Sequence, residues 1–232
     1  MDTAKDARIL VAEDALRRLN EIVNNRKLKL HIEYNKIGTI LHQAGSYFYE
    51  VKYSYVPAEQ VAKLEPTQKI VDDIIEFKKM VESALKSIGF KPSTIKEILV
   101  FAELNYSFRT IEGLKRRLTE FDEEPAYAID ILAVEVSEVK PVEDSKNLTE
   151  CRCTDGKRIW KILTNIEGVQ SGEIYPCAVL PPVEMVGIVS EAMFLGGEPL
   201  PETTNVGPLT QPSASVLDQA RAQVLHIIKR MQ

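Results

Sequence analysis

The chain has 232 residues, 44% hydrophobic and 27% charged, with a net charge of −5. That is enough apolar material for one or two packed domains, and an acidic balance excludes a molecule-wide basic field for nucleic acid. No apolar run reaches the roughly 20 residues of a membrane span, the start MDTAKDARIL lacks the apolar centre of a secretory signal, and three cysteines, two of them in CRC, make no disulfide framework. These features predict a soluble cytoplasmic protein with no membrane partner.

Residues 3–24 place Ile9, Ala12, Leu16, Leu19 and Ile22 at helical spacing, opposite a polar face of Asp6, Asp14, Arg17 and Glu21. KLKLHIEY alternates, with Leu28, Leu30 and Ile32 on one side, and reads as a strand. AGSYFYEVKYSYVP alternates too, so Tyr47, Tyr49, Val51, Tyr53 and Tyr55 share one face, read as the core side of a β-hairpin with Gly38 and Gly45 at turns. Pro66-Thr67 opens a helix that turns Ile70, Ile74, Phe77, Val81 and Leu85 inward and ends at Gly89. PSTIKEILVFAELNY and RTIEGLKRRLTEF read as two shorter helices. The acidic stretch TEFDEEPAYA closes an N-terminal α+β domain over 1–125.

From residue 126 the texture changes. AIDILAVEVSEV, NLTECRCT, KRIWKILT, EIYPCAVL and MVGIVSEAMFL are five strand-like runs. Turn formers separate them: Pro141 to Asp144, Asp155-Gly156, Asn165 with Gly168, and Pro181-Pro182. Five short strands with regular turns predict a small closed barrel over 126–198. A Gly-, Pro- and Thr-rich loop follows over 199–214. A C-terminal helix over 215–232 carries Leu217, Ala220, Val224, Ile227 and Met231 as an apolar stripe, with Ser215 and Asp218 as a capping box. That stripe needs a partner surface on the barrel, on the N-terminal domain or on a second copy. The fold class is α+β, with more than one domain.

Three stretches of the barrel carry a resemblance: DILAVEVSEV, VEDSKNL and VGIVSEAMF. Asp130, Ile131, Val136, Glu138 and Val139, then Leu148, then Gly187, Ser190 and Met193 are similar to the tRNA-binding domain family, across about 129–197. That family comprises the C-terminal appendage of methionyl-tRNA synthetases, free-standing dimeric tRNA-binding proteins and the inserted domain of the phenylalanyl-tRNA synthetase beta chain. The resemblance implies an OB-fold barrel, RNA recognised by shape and backbone more than by sequence, Ser190 and Met193 at the site, and a homodimer. Three basic positions of the family pattern are lost, to Leu132, Glu135 and Val186. Residues 128–198 hold six basic side chains against twelve acidic ones, so this barrel is acidic.

The best remaining nucleic-acid feature is GKRIWKILTN. Lys157, Arg158 and Lys161 flank Trp160, the only tryptophan, and alternation places Arg158 and Trp160 together. They read either as an outer ligand-holding face or as a tryptophan packed under a helix. Lys146 and Arg152 at the rim and Asn165 at the following turn complete the expected RNA-contact set. LKRRL (Lys115, Arg116, Arg117) and NNRKLKL (Arg26, Lys27, Lys29) are local basic patches that could add phosphate contacts. Cys151, Cys153 and Cys177 read as buried thiols rather than zinc ligands. His31, His42 and His226 are scattered, and no catalytic constellation or cofactor motif is present, so no enzyme activity is expected. Three functions follow: tRNA or other structured-RNA binding, association with a ribosome or aminoacyl-tRNA synthetase, or an acidic protein-interaction and dimerisation module.

Overall fold

A computed structural model describes residues 1–143 and 145–231. Asp144, expected in a turn, and Gln232, expected to end the last helix, lie outside the described residues.

Six helices fill the first 120 residues: α1 (Ala7–Asn24), α2 (Tyr34–Lys52), α3 (Ala58–Val61), α4 (Glu65–Ile88), α5 (Ile95–Glu112) and α6 (Leu114–Glu120). The α1 stripe of Ile9, Ala12, Leu16, Leu19 and Ile22 is buried as its spacing predicts. Its expected polar face is divided: Arg17 and Glu21 are exposed, but Asp6 and Asp14 are buried, and Asp14 holds Arg17 at 2.6 Å and Arg18 at 2.7 Å. Asp6 caps the helix by accepting from the Arg8 N–H at 2.9 Å. Helix α4 begins at a proline and stops at Gly89, whose φ of 60° suits a residue without Cβ. Thr94 and Glu97 form the capping box of α5.

The expected β-hairpin is corrected. Leu28–Ile32 is an irregular connection with a bend at Leu30, and α2 runs through Gly38, Gly45 and most of the tyrosine run. The reason lies in a competing period. Ile37, Ile40, Leu41, Ala44, Phe48 and Val51 recur at three- and four-residue steps, and all six are buried. The seam starts ten residues ahead of the tyrosine run, where the alternation rule does not look. A helix sends the tyrosines to different sides: Tyr47 packs on the core, while Tyr49, Tyr53 and Tyr55 are exposed. Their rings form a surface ladder, with centroids 4.7 and 6.4 Å apart. The N-terminal part is therefore helical, and the chain is α+β only as a whole.

The five expected strands all form: β1 (Ile131–Pro141), β2 (Thr149–Thr154), β3 (Ile159–Thr164), β4 (Ile174–Met185) and β5 (Ile188–Phe194). They make an antiparallel sheet in the order β3-β2-β1-β4-β5. Register shifts in β1 between Val136 and Glu138, and between β4 and β5 from Val179 to Val183, curl the sheet until its edges β3 and β5 lie side by side. Among the described residues no ladder joins those edges, so the expected closed barrel is an open sheet. Pro181-Pro182 is no turn, because β4 continues to Met185. The chain reverses at Val186 (φ 46°) and Gly187 (φ 77°), a two-residue turn with both residues left-handed. A two-residue strand β6 (Gly207–Pro208) inside the expected loop pairs with β1.

The last helix, α7 (Ala214–Lys229), is capped by Ser213 rather than Ser215. Asp218 instead pairs with Arg221, which also grips Glu124 through two bonds of 2.7 and 2.8 Å. The stripe of Val216, Ala220, Val224 and Ile227 packs with Ala7 and Val11 of α1, Ile131 of β1 and Ala178 of β4. It is buried within the chain itself.

One carboxylate ties the helical part to the sheet. Asp130, just ahead of β1, accepts from Arg109 Nε at 2.5 Å, Arg116 Nη2 at 2.9 Å and Arg117 Nη1 at 2.9 Å. Arg117 is buried at 2% exposure and also donates to the Thr110 carbonyl. Gly113 leaves it room, since a Cβ there would stand 2.5 Å from Arg117 Nη1. Burial alone would push the Asp130 carboxyl up. The guanidiniums of Arg117, Arg109 and Arg116 outweigh that and hold it below its ordinary value. Burial conversely pulls the Arg117 value down, against the attraction of Asp130.

Removing only the charge, as Asp130→Asn, leaves Arg117 buried without its counterion and should cost about 3–5 kcal/mol in denaturant unfolding. A folded-state value below the unfolded one stabilises fully above about pH 4 and is lost as pH falls through the folded value. The variant's acid-unfolding profile should accordingly be flatter than that of the wild type.

Candidate nucleic-acid interface at the seam between β3 and β5

Alternation along β3 holds, but the expected outer face is the inner one. Trp160 is 1% exposed and Ile162 is fully buried, while Ile159 is 56% exposed. Trp160 sits opposite Cys153 on β2 and packs in one core with Tyr106 of α5, so it lies under a helix. Two guanidiniums cover its ring, Arg158 at 3.9 Å and Arg109 at 5.3 Å from the centroid. A ring so enclosed has no face left for a base. Nor are the neighbouring cations unpartnered. Arg158 binds Glu191 at 2.5 Å, Lys161 lies 3.3 Å from Glu150, and Arg152 lies 3.4 Å from Glu138. Lys157 and Lys146 are exposed, with no ion pair among the described residues. Lys157 follows the Asp155-Gly156 turn, where Asp155 accepts from the Lys157 and Arg158 N–H groups at 2.9 Å each.

The other three expected residues, Asn165, Ser190 and Met193, meet at a groove of about 790 Å³ along the open seam. Ser190 is the seam's fastener. Its Oγ accepts from the Leu163 N–H of β3 and donates to the Ala192 carbonyl of β5, both at 3.0 Å. With both bonds made and 5% exposure, it positions the edges rather than offering its hydroxyl to a ligand. Met193 is half-buried, and Asn165 is exposed at the end of β3. Leu148, the residue kept from the VEDSKNL loop, lines the same groove.

The far wall comes from α7. Gln219, Gln223, His226 and Arg230 repeat at four-, three- and four-residue steps and so form one polar stripe facing the seam. Sequence reading followed only the apolar stripe of this helix, although the polar one was equally periodic. Gln219 Oε1 accepts from the Gly196 N–H at 2.8 Å, and among the described residues its amide N–H groups have no hydrogen-bond partner. Arg18 of α1 reaches the lining too, tied to Asp14 and, at 3.6 Å, to Glu103. Among the described residues that line the groove there is no Asp or Glu. In a sheet region with twice as many acids as bases, that is a local selection of charge.

The remaining candidates lie elsewhere. Of LKRRL, Arg117 and Arg116 are spent on Asp130, and Lys115 donates to Gln68. Of NNRKLKL, Lys29 lies 3.4 Å from Glu97 and Arg26 sits over the Tyr34 ring at 5.8 Å. Cys151, Cys153 and Cys177 are buried free thiols as expected, and burial pushes Cys151 up to about 11 and Cys153 up to about 12. Those shifts suppress the thiolate and with it nucleophilic chemistry.

A family model described as an alpha helical domain matches residues 1–120. The chain belongs to the alpha helical domain family. The family segment spans α1 to α6 and ends before the sheet, so within it only Arg18 reaches the seam groove. No curated protein matches the chain.

With a single, enclosed tryptophan, fluorescence reports this core directly. Acrylamide should quench Trp160 several-fold less than free tryptophan, and adding RNA should leave the emission unchanged. Arg158→Ala should raise the quenching and remove about 0.5–1 kcal/mol of cation–π stabilisation.

Proposed function

We propose that this chain binds structured RNA, with tRNA the first candidate, through the groove at the β3–β5 seam. The strand order, with its two edges drawn together, fits a five-stranded, partly open OB-like barrel, a fold whose surface and loops hold oligonucleotides. This agrees with the resemblance of residues 129–197 to the tRNA-binding domain family. The observation that carries the reading is convergence. Leu148, Asn165 and the Ser190–Met193 pair come from separate parts of the sequence, yet they line one groove with Arg230, and among the described residues no Asp or Glu joins them. Phosphate needs a cation free of local acids, and among the described residues Arg230 meets that condition in the groove, whereas Arg152, Arg158 and Lys161 on the β2–β3 face do not. The activity is binding, with no chemical step, and the setting is cytoplasmic translation, either on tRNA alone or beside a synthetase or ribosomal subunit.

A second reading has a support of its own. Val183, Met185 and Val186 leave an apolar hairpin tip exposed beside the groove, which suits a protein partner or a second copy. In that case the intact protein binds no tRNA at any salt concentration.

Gel-shift titration with total tRNA decides between them. Affinity should fall steeply between about 50 and 200 mM salt, because counterion release drives phosphate binding. Arg230→Ala should weaken binding across tRNA species alike and lower the salt slope by about 1. Arg152→Ala, whose guanidinium already faces Glu138, should change little. Absence of any shift at low salt ends the RNA reading.

A further inference from the structure

We infer that the seam groove accepts one unpaired nucleotide of an RNA, its base held between apolar walls and its phosphate at Arg230. The inference rests on the RNA reading above and narrows it, from a surface that attracts RNA to a pocket that takes a single residue of it.

The chemistry of the lining argues for this ligand. A nucleotide has a flat apolar body, an edge of hydrogen-bond donors and acceptors, and an anionic end. The groove offers a counterpart for each. Met193 and Phe194 of β5 and Ile227 of α7 give it polarizable and apolar walls. Asn165, Gln219 and Gln223 present side-chain amides, which carry both donors and acceptors as base edges do. Among the described residues neither Asn165 nor Gln223 makes a side-chain hydrogen bond, so both are unengaged. Arg230 is exposed at the end of α7, with no ion pair among the described residues, beside His226.

Size and access agree. A volume of about 790 Å³ lies within the range of roughly 300–1,000 Å³ typical of small-ligand sites. It is too narrow a feature for a duplex, whose bases are stacked and paired; base edges are read where a strand is single. The exposed tyrosine ladder is a weaker platform for the same ligand. Its rings are mutually tilted by 54° and 55°, and the nearby Lys52 is engaged with Glu13 at 2.7 Å.

The test uses the full chain with ¹⁵N-labelled side-chain amides. The probes are adenosine monophosphate, adenosine, ribose 5-phosphate, a single-stranded tetranucleotide, and tRNA with and without its unpaired 3′ end. Adenosine monophosphate should shift the Asn165, Gln219 and Gln223 amide signals, and loss of either base or phosphate should weaken it about tenfold. The tetranucleotide should bind more tightly than the monophosphate, and trimming the unpaired end should weaken tRNA several-fold. Gln223→Trp should fill the groove and Arg230→Ala should remove its cation. Each should abolish or strongly weaken the shifts while far-ultraviolet circular dichroism and the melting temperature remain those of the wild type.

Should Gln223→Trp fail to fold, Gln223→Ala with Arg230→Ala keeps the comparison. If tRNA binds but no probe moves the groove amides, and trimming changes nothing, the inference falls and the RNA reading survives. If the monophosphate binds as tightly as the tetranucleotide and tRNA does not bind, the RNA reading and this inference both fall, and a free nucleotide is the ligand.

Discussion

A carboxylate shared by three guanidiniums is the joint on which this structure turns. Asp130 stands where the chain passes from helix to strand, and it gathers Arg109 from α5 with Arg116 and Arg117 from α6. A buried ion cluster gains little over a well-packed apolar one, because desolvation offsets most of its attraction. Its effect is on geometry. The guanidinium fork and the carboxylate accept few relative orientations, so the α5–α6 corner is fixed against the start of β1. With α5 set there, Tyr106 and Arg109 come to rest over Trp160, and the helix covers one side of the curled sheet. The opposite side is left to α7, and the groove lies between that helix and the seam.

Charge in this chain is a matter of placement rather than balance. Three of the cations around β2 and β3 that suggested an RNA face stand near a carboxylate: Arg158 with Glu191, Lys161 with Glu150, Arg152 with Glu138. Such exposed or half-exposed pairs contribute little to stability. They do leave that face electrically quiet. The groove differs because among the described residues its lining holds no Asp or Glu, not because bases are abundant. Net charge, and even the charge of the sheet region alone, conceals that contrast.

What was legible in the sequence follows from which physical signal had no rival. The stripes of α1 and α4, with Gly89 at the end of the second, had none, whereas Asp6, expected on the polar face of α1, is its cap. The five strands were bounded by turn formers and all formed. At Tyr34 to Lys52 two periods competed, and the tyrosines drew attention to the weaker one. The stronger, from Ile37 to Val51, was present in the same letters. For Trp160, alternation correctly grouped it with Arg158 and Ile162 but could not tell inside from outside. That depended on Tyr106, fifty-four residues away, closing over it. The groove was half legible: Asn165, Ser190 and Met193 were named one by one. Their assembly with Gln223 and Arg230 required the fold, because α7 follows a long loop whose path no local rule dictates.

The packing of the last helix on the first carries a kinetic consequence. Val11 is fully buried and Ala7 nearly so, and both belong to the core built by Val216, Ala220, Val224 and Ile227. During synthesis α1 leaves the ribosome some two hundred residues before its cover exists. The helical segment can condense early around its own core, since that core draws on residues of the segment alone, from Ile9 to Leu118. Its apolar flank stays bare until α7 has been made and the sheet has curled. The interval between those events is when the nascent chain is most open to a chaperone, or to another nascent copy of itself.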